Sequence, residues 1–294
     1  TDWSWEVGAV FGYFAGDAHF GDRNGIRVGV SHEKRPDLVT LDSIIQKWTG
    51  KPAGIYEYQF KRDGSGPVTA GVSNVVLAVW KDEGLSQFVA AMGYPVGTKS
   101  PVRSLPFGLL QAPREAKLGF LAGYVGADGS VSLRKSGRTT TRVDGTSEAL
   151  IRGVQDLFLS LGARTTIGAP ALRPPYRPLF SLSITSTRAM EILKEARVMN
   201  DKKRALVDSA CLSSFRRHRD AKVVGLDFSP ELVPVYDLEV EGEHEFTAGG
   251  LIIHNCQVYG AEEASCTASK APDGKRGCRA CWVHPELRIN YSAH

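Results

Sequence analysis

The 294-residue sequence contains no run of about 18 or more apolar residues, so no membrane-spanning helix is predicted. Its first residues, TDWSWEVGAV, lack the basic region and cleavage site of a signal peptide, and they lack a methionine. Cysteine is scarce, because Cys211 alone falls within the first 255 residues. These absences argue against a disulfide-stabilised secreted protein and favour a cytoplasmic piece of a longer chain, without membrane contact.

Basic residues are absent from residues 223–255, which carry seven Asp and Glu and no Lys or Arg. Residues 1–222 instead carry 31 Lys and Arg against 21 Asp and Glu, a net charge of +10. A surplus of this sign favours a polyanion such as DNA, although basic surfaces are common and this surplus is modest for its length.

Two apolar stretches share a glycine pattern and end in an aspartate. Val7–Phe20 reads VGAVFGYFAGDAHF, and Leu118–Val131 reads LGFLAGYVGADGSV. Glycine or alanine recurs every fourth residue at Gly8, Gly12, Gly16, Gly119, Gly123 and Ala127. This spacing places small residues on one helix face, and we expect the two helices to pack there with their backbones close together.

Asp17 and Asp128 end these two predicted helices. A carboxylate is disfavoured at a helix C-terminus, and two aspartates there would also repel each other. A divalent cation between them would relieve both penalties, and a site with oxygen ligands alone suits Mg²⁺. The alternative is two core helices that end in ordinary turns containing Asp.

The two stretches also resemble a known sequence motif. LAGYVGADG resembles the motif of the LAGLIDADG homing endonucleases, and VFGYFAGDA is a looser copy 111 residues earlier. The resemblance implies an α+β fold, in which two αββαββα-like halves are related by a pseudo-twofold axis. It also implies a monomer that makes Mg²⁺-dependent cuts in a long asymmetric double-stranded DNA site, with Asp17 and Asp128 as metal ligands.

The residues after the second motif fit this expectation. Gly129–Gly145 is polar, rich in threonine and basic, as in a DNA-facing hairpin, and Thr146–Ala163 predicts an amphipathic helix. Lys99 resembles the basic residue that precedes the second motif of the family, although a solvated lysine fits equally well. Ala18 departs from the pattern, because glycine usually follows this aspartate. This departure leaves three alternatives for the DNA-cleavage activity: it is retained, it is biased to one strand, or it is lost.

The stretch LIIHNC, Leu251–Cys256, resembles the C-terminal splice junction of an intein. The upstream VYDLEV and HEF segments match the same all-β Hint domain, into which LAGLIDADG endonucleases are commonly inserted. The resemblance implies that Asn255 cyclises and breaks the 255–256 peptide bond, and that His254 assists. It further implies that His244 acts on the asparagine, that Asp237 relays protons, and that Cys256 accepts the upstream acyl group.

The N-terminal splicing residues of an intein are not found in this sequence. No histidine has a threonine three positions before it, and the chain opens at Thr1. We therefore expect Asn255 cyclisation at most, with full splicing requiring the N-terminal half in cis or in trans.

The last 39 residues hold Cys256, Cys266, Cys278 and Cys281, and are interpreted as a C-extein. Cys278 and Cys281 form a Cys-x-x-Cys pair, and its possible partners are Cys256, Cys266, His284 and His294. Four such ligands could bind zinc, or an iron–sulfur cluster if all four are cysteines. Free or redox-active cysteines fit equally well.

The sequence thus predicts five regions: the end of an N-terminal Hint part or linker (1–5), endonuclease halves (6–110 and 111–222), a splicing segment (223–255) and a C-extein (256–294). The predicted function is an intein-encoded homing endonuclease that cuts the intein-free allele. The alternative is a catalytically inactive DNA-binding relic in a cysteine-rich metal-binding host protein.

Overall fold

The structure is a computed structural model, and it describes residues 2–21, 25–62, 71–133, 139–172, 174–210, 245–248 and 251–254. The chain divides into two compact units, residues 1–217 and 218–294. No helix among the described residues is both long enough and apolar enough to cross a membrane.

The first half of unit 1 alternates helices with pairs of strands. Its elements are α1 (Trp5–Asp17), β1 (Ala18–Gly21), β2 (Gly25–Ser31), α2 (Arg35–Thr49), β3 (Gly54–Arg62), β4 (Gly71–Trp80) and α3 (Glu83–Ala91). Single 3₁₀ turns cover His32–Lys34, Ser100–Val102 and Leu109–Gln111. The Ser4 hydroxyl caps the start of α1, and Gly50 ends α2 in the left-handed conformation that glycine adopts without strain.

The second half repeats this order. Its elements are α4 (Arg114–Asp128), β5 (Gly129–Leu133), β6 (Thr139–Gly145), α5 (Glu148–Ser160), β7 (Thr166–Ile167), β8 (Phe180–Ile184), α6 (Thr187–Ala196) and α7 (Asp201–Asp208). The hairpin and the amphipathic helix predicted after the second motif are confirmed as β5, β6 and α5. The hydroxyl of Ser147 caps α5, as the Thr-Ser start of that segment predicts.

Both halves form a four-stranded antiparallel sheet with the same strand order. The first sheet runs β1-β2-β4-β3 and the second runs β5-β6-β8-β7. Each half therefore has an αββαββα order of elements, which confirms the fold expected from the sequence for residues 5–208.

The core lies between the helices and one face of each sheet. Alternate residues of β2 are buried, among them Ile26, Val28 and Val30, while Arg27 and Ser31 are exposed. The period of two follows from the alternation of side chains in a strand. The two motif helices are buried along most of their length, and this burial explains why they are apolar on all sides.

In unit 2 the structure describes one antiparallel pair, β9 (Glu245–Ala248) and β10 (Leu251–His254). The pair aligns Leu251 with Ala248 and His254 with Glu245. The two short strands that the sequence predicts immediately before Asn255 are present at these positions.

Candidate active site

The site begins with the two motif helices, which end side by side at Asp17 and Asp128. Each aspartate is the last residue of its helix, and each helix continues directly into the first strand of a sheet. The two carboxyl groups therefore lie where α1, α4 and both sheets meet.

Glycine makes this approach of the two helices possible. A Cβ atom on Gly12 would overlap the carbonyl oxygen of Phe120, and a Cβ atom on Gly123 would overlap that of Ala9. One on Gly16 would stand 2.6 Å from the Cβ of Ala127 and 3.2 Å from the Cγ of Asp128. The predicted close packing through the glycine faces is confirmed, and it brings the last turns of the two helices together.

The residue after each aspartate does not need to be glycine for its backbone angles. Ala18 has φ −81° and ψ 150°, and Gly129 has φ −68° and ψ 141°. Both are extended conformations that any residue adopts. The departure from the motif at Ala18 therefore requires no special backbone conformation at the residue after Asp17.

Lys34 joins the two helix ends. Its Nζ lies 3.3 Å from Oδ2 of Asp17 and donates a hydrogen bond of 2.6 Å to the carbonyl oxygen of Ala127. A single ammonium group thus contacts the carboxylate of the first motif and the backbone of the second.

Two further cations cap the C-termini of the motif helices. The buried guanidinium of Arg103 donates to the carbonyl oxygens of Phe14, Ala15, Gly16 and Ala18 at the end of α1. Lys203 Nζ donates to those of Val125, Gly126 and Ala127 at the end of α4, at 3.0, 2.6 and 3.2 Å. Each cation satisfies carbonyl groups that have no partner within the helix and faces the negative end of its dipole.

These cations offset part of the electrostatic cost of two neighbouring carboxylates. Removal from water and the charge of Asp17 raise the pKa of Asp128 to about 6, although part of the residue remains exposed. The positive charges of Lys34, Lys203 and Arg103 act in the opposite direction. Burial and the charge of Lys34 lower the pKa of Lys203 to about 8. Asp128 therefore changes charge within the range in which enzymes are assayed.

A buried carboxyl group, that of Asp37, connects the helices around the site through hydrogen bonds. Asp37 is 3% exposed and accepts hydrogen bonds from the Tyr13 hydroxyl at 3.3 Å and from the Asn200 amide at 3.0 and 3.2 Å. Burial raises the pKa of Asp37. Asn200 also caps α7, which carries Lys203, so the Asp37 network ties α1, α2 and α7 together.

The donor set at the helix ends fits a hard divalent cation. Asp17 and Asp128 supply carboxylate oxygens, and such cations prefer oxygen ligands. No group of three or more His, Cys, Asp or Glu side chains is arranged to hold a metal ion among the described residues, and the candidate site itself offers two carboxylates. Two protein carboxylates would leave coordination positions for water or for oxygens of a substrate.

The exposed faces of the two sheets differ in chemistry. We define the hydroxyl face as the outer residues of the second sheet: Ser130, Ser132, Thr140, Arg142, Asp144, Thr166, Ser181 and Ser183. The cross-strand register places these side chains on one side, and Arg142 is held by Asp144 at 2.7 Å.

We define the apolar face as a strip on the outer side of the first sheet: Gly29, Tyr56, Tyr58, Val75, Leu77 and Val79, the last of which is buried. The polar residues Ser31 and Ser73 flank this strip on the same side of the sheet. The register aligns Gly29 with Leu77 and Tyr56, and the side chains of Leu77 and Val75 lie over Gly29. His19 and Arg27 lie on the same side of the sheet, in register with Val79.

The structure places some of the predicted residues and leaves others untested. Asp17 and Asp128 lie together, whereas Lys99 is an exposed residue at the start of a 3₁₀ turn and makes no contact with them among the described hydrogen bonds. The role of Lys99 stays a prediction. His254 ends β10, and the other predicted splicing and metal-binding residues lie outside the described part: Asp237, His244, Asn255, Cys256, Cys266, Cys278 and Cys281.

Sequence reasoning missed Lys34, Asp37, Arg103 and Lys203. A signal exists for two of them, because Arg103 follows α3 and Lys203 follows α6, the third helix of each half. Lys34 and Asp37 have no counterpart motif, and long-range folding alone brings them to the helix ends.

Comparison with known proteins supports the assignment of the second half. Residues 115–196 match the family model described as a LAGLIDADG-like domain. The tRNA-splicing ligase RtcB of Pyrococcus abyssi (strain GE5 / Orsay) is 24% identical over 294 residues, which cover 86% of this chain and 32% of the ligase. A DNA polymerase of Thermococcus hydrothermalis is 26% identical over 268 residues, which cover 85% of this chain and 15% of the polymerase. The chain thus spans a third or less of the curated relatives it matches.

Solved structures give looser matches. The crystal structure of I-DmoI in complex with DNA and Ca has 16% sequence identity and a TM-score of 0.47, and the match covers 70% of this chain and 98% of I-DmoI. Full-length DUF199/WhiA from Thermatoga maritima has 12% identity and a TM-score of 0.44 over 70% of this chain and 59% of its own. With TM-scores below 0.5, these matches support no conclusion about the fold beyond the strand order described above. The family match shows that the second half of the chain carries a LAGLIDADG-like domain, which begins on the helix that ends in Asp128.

Proposed function

We propose that unit 1 is a Mg²⁺-dependent endonuclease that makes double-strand breaks at a long, asymmetric DNA site. The observation that carries this proposal is the pair of aspartates, Asp17 and Asp128, at the adjoining ends of two helices whose glycine faces pack together. Two carboxylates at one point have no structural benefit, because they repel each other and face the negative ends of two helix dipoles. A cation bound between the two carboxylates would offset this repulsion and give the arrangement a catalytic role.

The residues at the proposed site have different roles. Asp17 and Asp128 would hold the metal. Because each lies next to a different sheet, each would act on one strand of a duplex. A bound Mg²⁺ supplies Lewis-acid polarisation of the scissile phosphate. Lys34, with its ammonium group between the two helix ends, would hold Asp17 in place and add positive charge near the phosphate. Arg103 and Lys203 stabilise the helix ends that carry the aspartates.

The surface of unit 1 is compatible with DNA as substrate. Residues 1–222 carry the net positive charge of the chain. The strands of both sheets lead away from the aspartates and present exposed faces on which a duplex could lie. The major groove of DNA admits a two-stranded ribbon, so pairs of these strands could enter it.

The test substitutes each aspartate with its neutral amide. Asp17→Asn and Asp128→Asn should each lower the rate of DNA cleavage in Mg²⁺ by at least about 10²-fold, because each removes a charged ligand. Binding of the same DNA without metal should change little. Asp156→Asn, at an exposed position of α5, is the matched control and should cut normally. Normal cutting by either motif variant would refute the metal assignment.

We also propose that residues 223–255 form the C-terminal splicing segment of an intein. The two curated relatives support this, because a ligase and a polymerase share nearly all of this chain but only 32% and 15% of their own lengths. A segment common to proteins with such different names is expected to have a function of its own. The proposed reaction is cyclisation of Asn255, in which the side-chain nitrogen attacks its own backbone carbonyl and releases Cys256 as a free amine. Asp237, His244 and His254 would assist, and complete splicing would need an N-terminal segment in cis or in trans.

A second candidate function is DNA binding without cleavage, in a host protein whose cysteine-rich tail binds a metal. The presence of Cys256, Cys266, Cys278 and Cys281 within 39 residues favours it. Binding of a selected DNA site without cutting in Mg²⁺ would support this candidate. Stoichiometric zinc or iron in the purified chain, lost in Cys278→Ser, would locate the metal in the tail.

A further inference from the structure

The two sheets that begin at the aspartates have outer surfaces of different chemistry. The hydroxyl face carries six Ser and Thr residues and one Arg–Asp pair. On the apolar face, Val75 and Leu77 are half-buried side chains at the centre, and Tyr56 and Tyr58 are 53% and 46% exposed at the edge. The strand order of the two sheets is the same, so the difference lies in the side chains alone.

The apolar face is unusual for a sheet that is open to water. Outer positions of a half-exposed sheet are ordinarily polar, and the second sheet follows this rule. In the first sheet, the missing side chain of Gly29 leaves Leu77 and Val75 uncovered, and Tyr56 lies across Gly54 instead of over them. The result is a shallow apolar surface, edged by two tyrosines, that begins beside Asp17 and ends near Tyr58.

The position of this surface indicates what covers it. It is continuous with the proposed cleavage site, because β1 begins at the residue after Asp17 and pairs with β2. Because Ala18 pairs with Val28, Gly29 lies at the level of Asp17, and His19 and Arg27 pair with each other further along the sheet, in register with Val79. The apolar residues thus lie beside the proposed cleavage site with a cationic residue, Arg27, at one end. This arrangement suits a duplex whose groove faces the sheet and whose phosphates pass Arg27.

DNA has one apolar group in its major groove, the C5-methyl of thymine. Serine and threonine hydroxyls instead donate to or accept from the edges of any base. We propose that the two sheets read their half-sites differently: the apolar face selects thymine methyl groups, and the hydroxyl face reads polar base edges. This inference rests on the proposed function, since it takes double-stranded DNA as the ligand.

The test first identifies a ligand without assuming its sequence. The full chain selects from a library of random double-stranded DNA in buffer with EDTA, so that no cutting occurs. The selected duplex is then resynthesised with 2′-deoxyuridine in place of thymidine in one half or in the other. This change removes the methyl groups and keeps every base-pairing and groove hydrogen-bonding group.

We expect an asymmetric result. Deoxyuridine in one half should weaken binding by about fourfold for each contacted methyl group, and in the other half it should have little effect. Leu77→Asn with Val75→Ser should abolish the penalty in the sensitive half. Thr140→Val, on the hydroxyl face, is the matched control and should leave that penalty unchanged.

The possible outcomes distinguish a failure of the thymine-methyl inference from a failure of the proposed DNA-cleavage function. If no duplex sequence is selected, the proposed function fails. If a site is selected but deoxyuridine has equal or no effect in the two halves, the thymine inference alone is overturned, and this measurement uses the unmodified chain. If the substitutions at Val75 and Leu77 change the oligomeric state in light scattering and not the deoxyuridine response, the apolar face binds a second copy of the chain.

Discussion

At the scale of single residues, the site depends on charges that oppose one another within a few ångströms. Asp17 and Asp128 lie at the negative ends of two helices, and Lys34, Arg103 and Lys203 supply the compensating positive charges. Because each of these cations also donates to backbone carbonyls, its side chain is fixed in place. The ends of both motif helices are thus fixed by side chains of the protein itself, and Lys34 also holds the carboxylate of Asp17.

The pKa of Asp128 predicts how cleavage depends on pH. Removal from water and the charge of Asp17 raise this pKa to about 6, so the carboxyl group loses its metal-binding charge as the pH falls through 6. We expect the cleavage rate at subsaturating Mg²⁺ to fall about tenfold for each pH unit below 6, and saturating Mg²⁺ should shift the fall to lower pH.

Rates measured from pH 5 to pH 8 on one DNA substrate would check this expectation. DNA binding without metal, measured over the same range, is the control for general effects of acid. A rate that stays constant down to pH 5 would contradict the assignment of Asp128 as a metal ligand.

At the scale of elements, the contact between α1 and α4 is the feature on which the site depends. The helices meet through glycines whose missing side chains allow backbone atoms to touch. Glycine costs about 1 kcal/mol relative to alanine inside a helix, so these helices give up intrinsic stability for a close approach. This contact sets the distance between the two helix ends, and therefore the positions of the sheets and capping cations that adjoin them.

Substitution of Gly12 by alanine tests this contact. The added Cβ would overlap the carbonyl oxygen of Phe120, a backbone atom that cannot move without shifting α4. Overpacking costs roughly 1–3 kcal/mol, and overlap with a backbone atom belongs at the upper end of that range, about 2–3 kcal/mol, against a gain of about 1 kcal/mol in helix propensity. We therefore expect Gly12→Ala to lower the free energy of unfolding by about 1–2 kcal/mol and to reduce cleavage.

Urea unfolding measures the stability change, and Gly168→Ala is the control. Gly168 is exposed, and an added Cβ there would meet nothing within 4 Å. Equal stability of the two variants, or a more stable Gly12→Ala, would show that the helices can separate at little cost.

At the scale of the whole molecule, the chain combines a basic unit with two repeated halves and a smaller unit that holds the proposed splice junction. Two motifs in one chain supply both aspartates, so a monomer is sufficient for the proposed cleavage. The differing faces of the two sheets make the two halves unlike each other, which would suit the proposed asymmetric target.

The proposed junction predicts a change in mass. If Asn255 cyclises, the purified 31.9 kDa chain should lose residues 256–294 over a day at neutral pH. Intact mass spectrometry beside Asn255→Ala is the measurement, and the fragment should form only from the unsubstituted chain. Equal cleavage in both chains would mean that a contaminating protease, and not Asn255, breaks the bond.

The sequence by itself determined the local elements of the fold. Glycine spacing, apolar runs and the aspartates at their ends predicted α1 and α4. A polar, threonine-rich stretch predicted β5 and β6, and an amphipathic pattern with a Thr-Ser start predicted α5. It also determined that Asp17 and Asp128 belong together, because two copies of one pattern imply two equivalent positions. These features depend on neighbours within a few residues, which is the range that a pattern can report.

The tertiary structure alone decided which other side chains reach the site. Lys34 contacts Ala127 across 93 positions, Asn200 contacts Asp37 across 163, and Arg103 crosses 85 positions or more to reach the end of α1. No local period encodes such contacts, because they depend on how α2, α7 and the segment after α3 pack around the motif helices. The same holds for the difference between the two sheet faces, which becomes visible only when the strand register places Gly29 beside Leu77 and Tyr56.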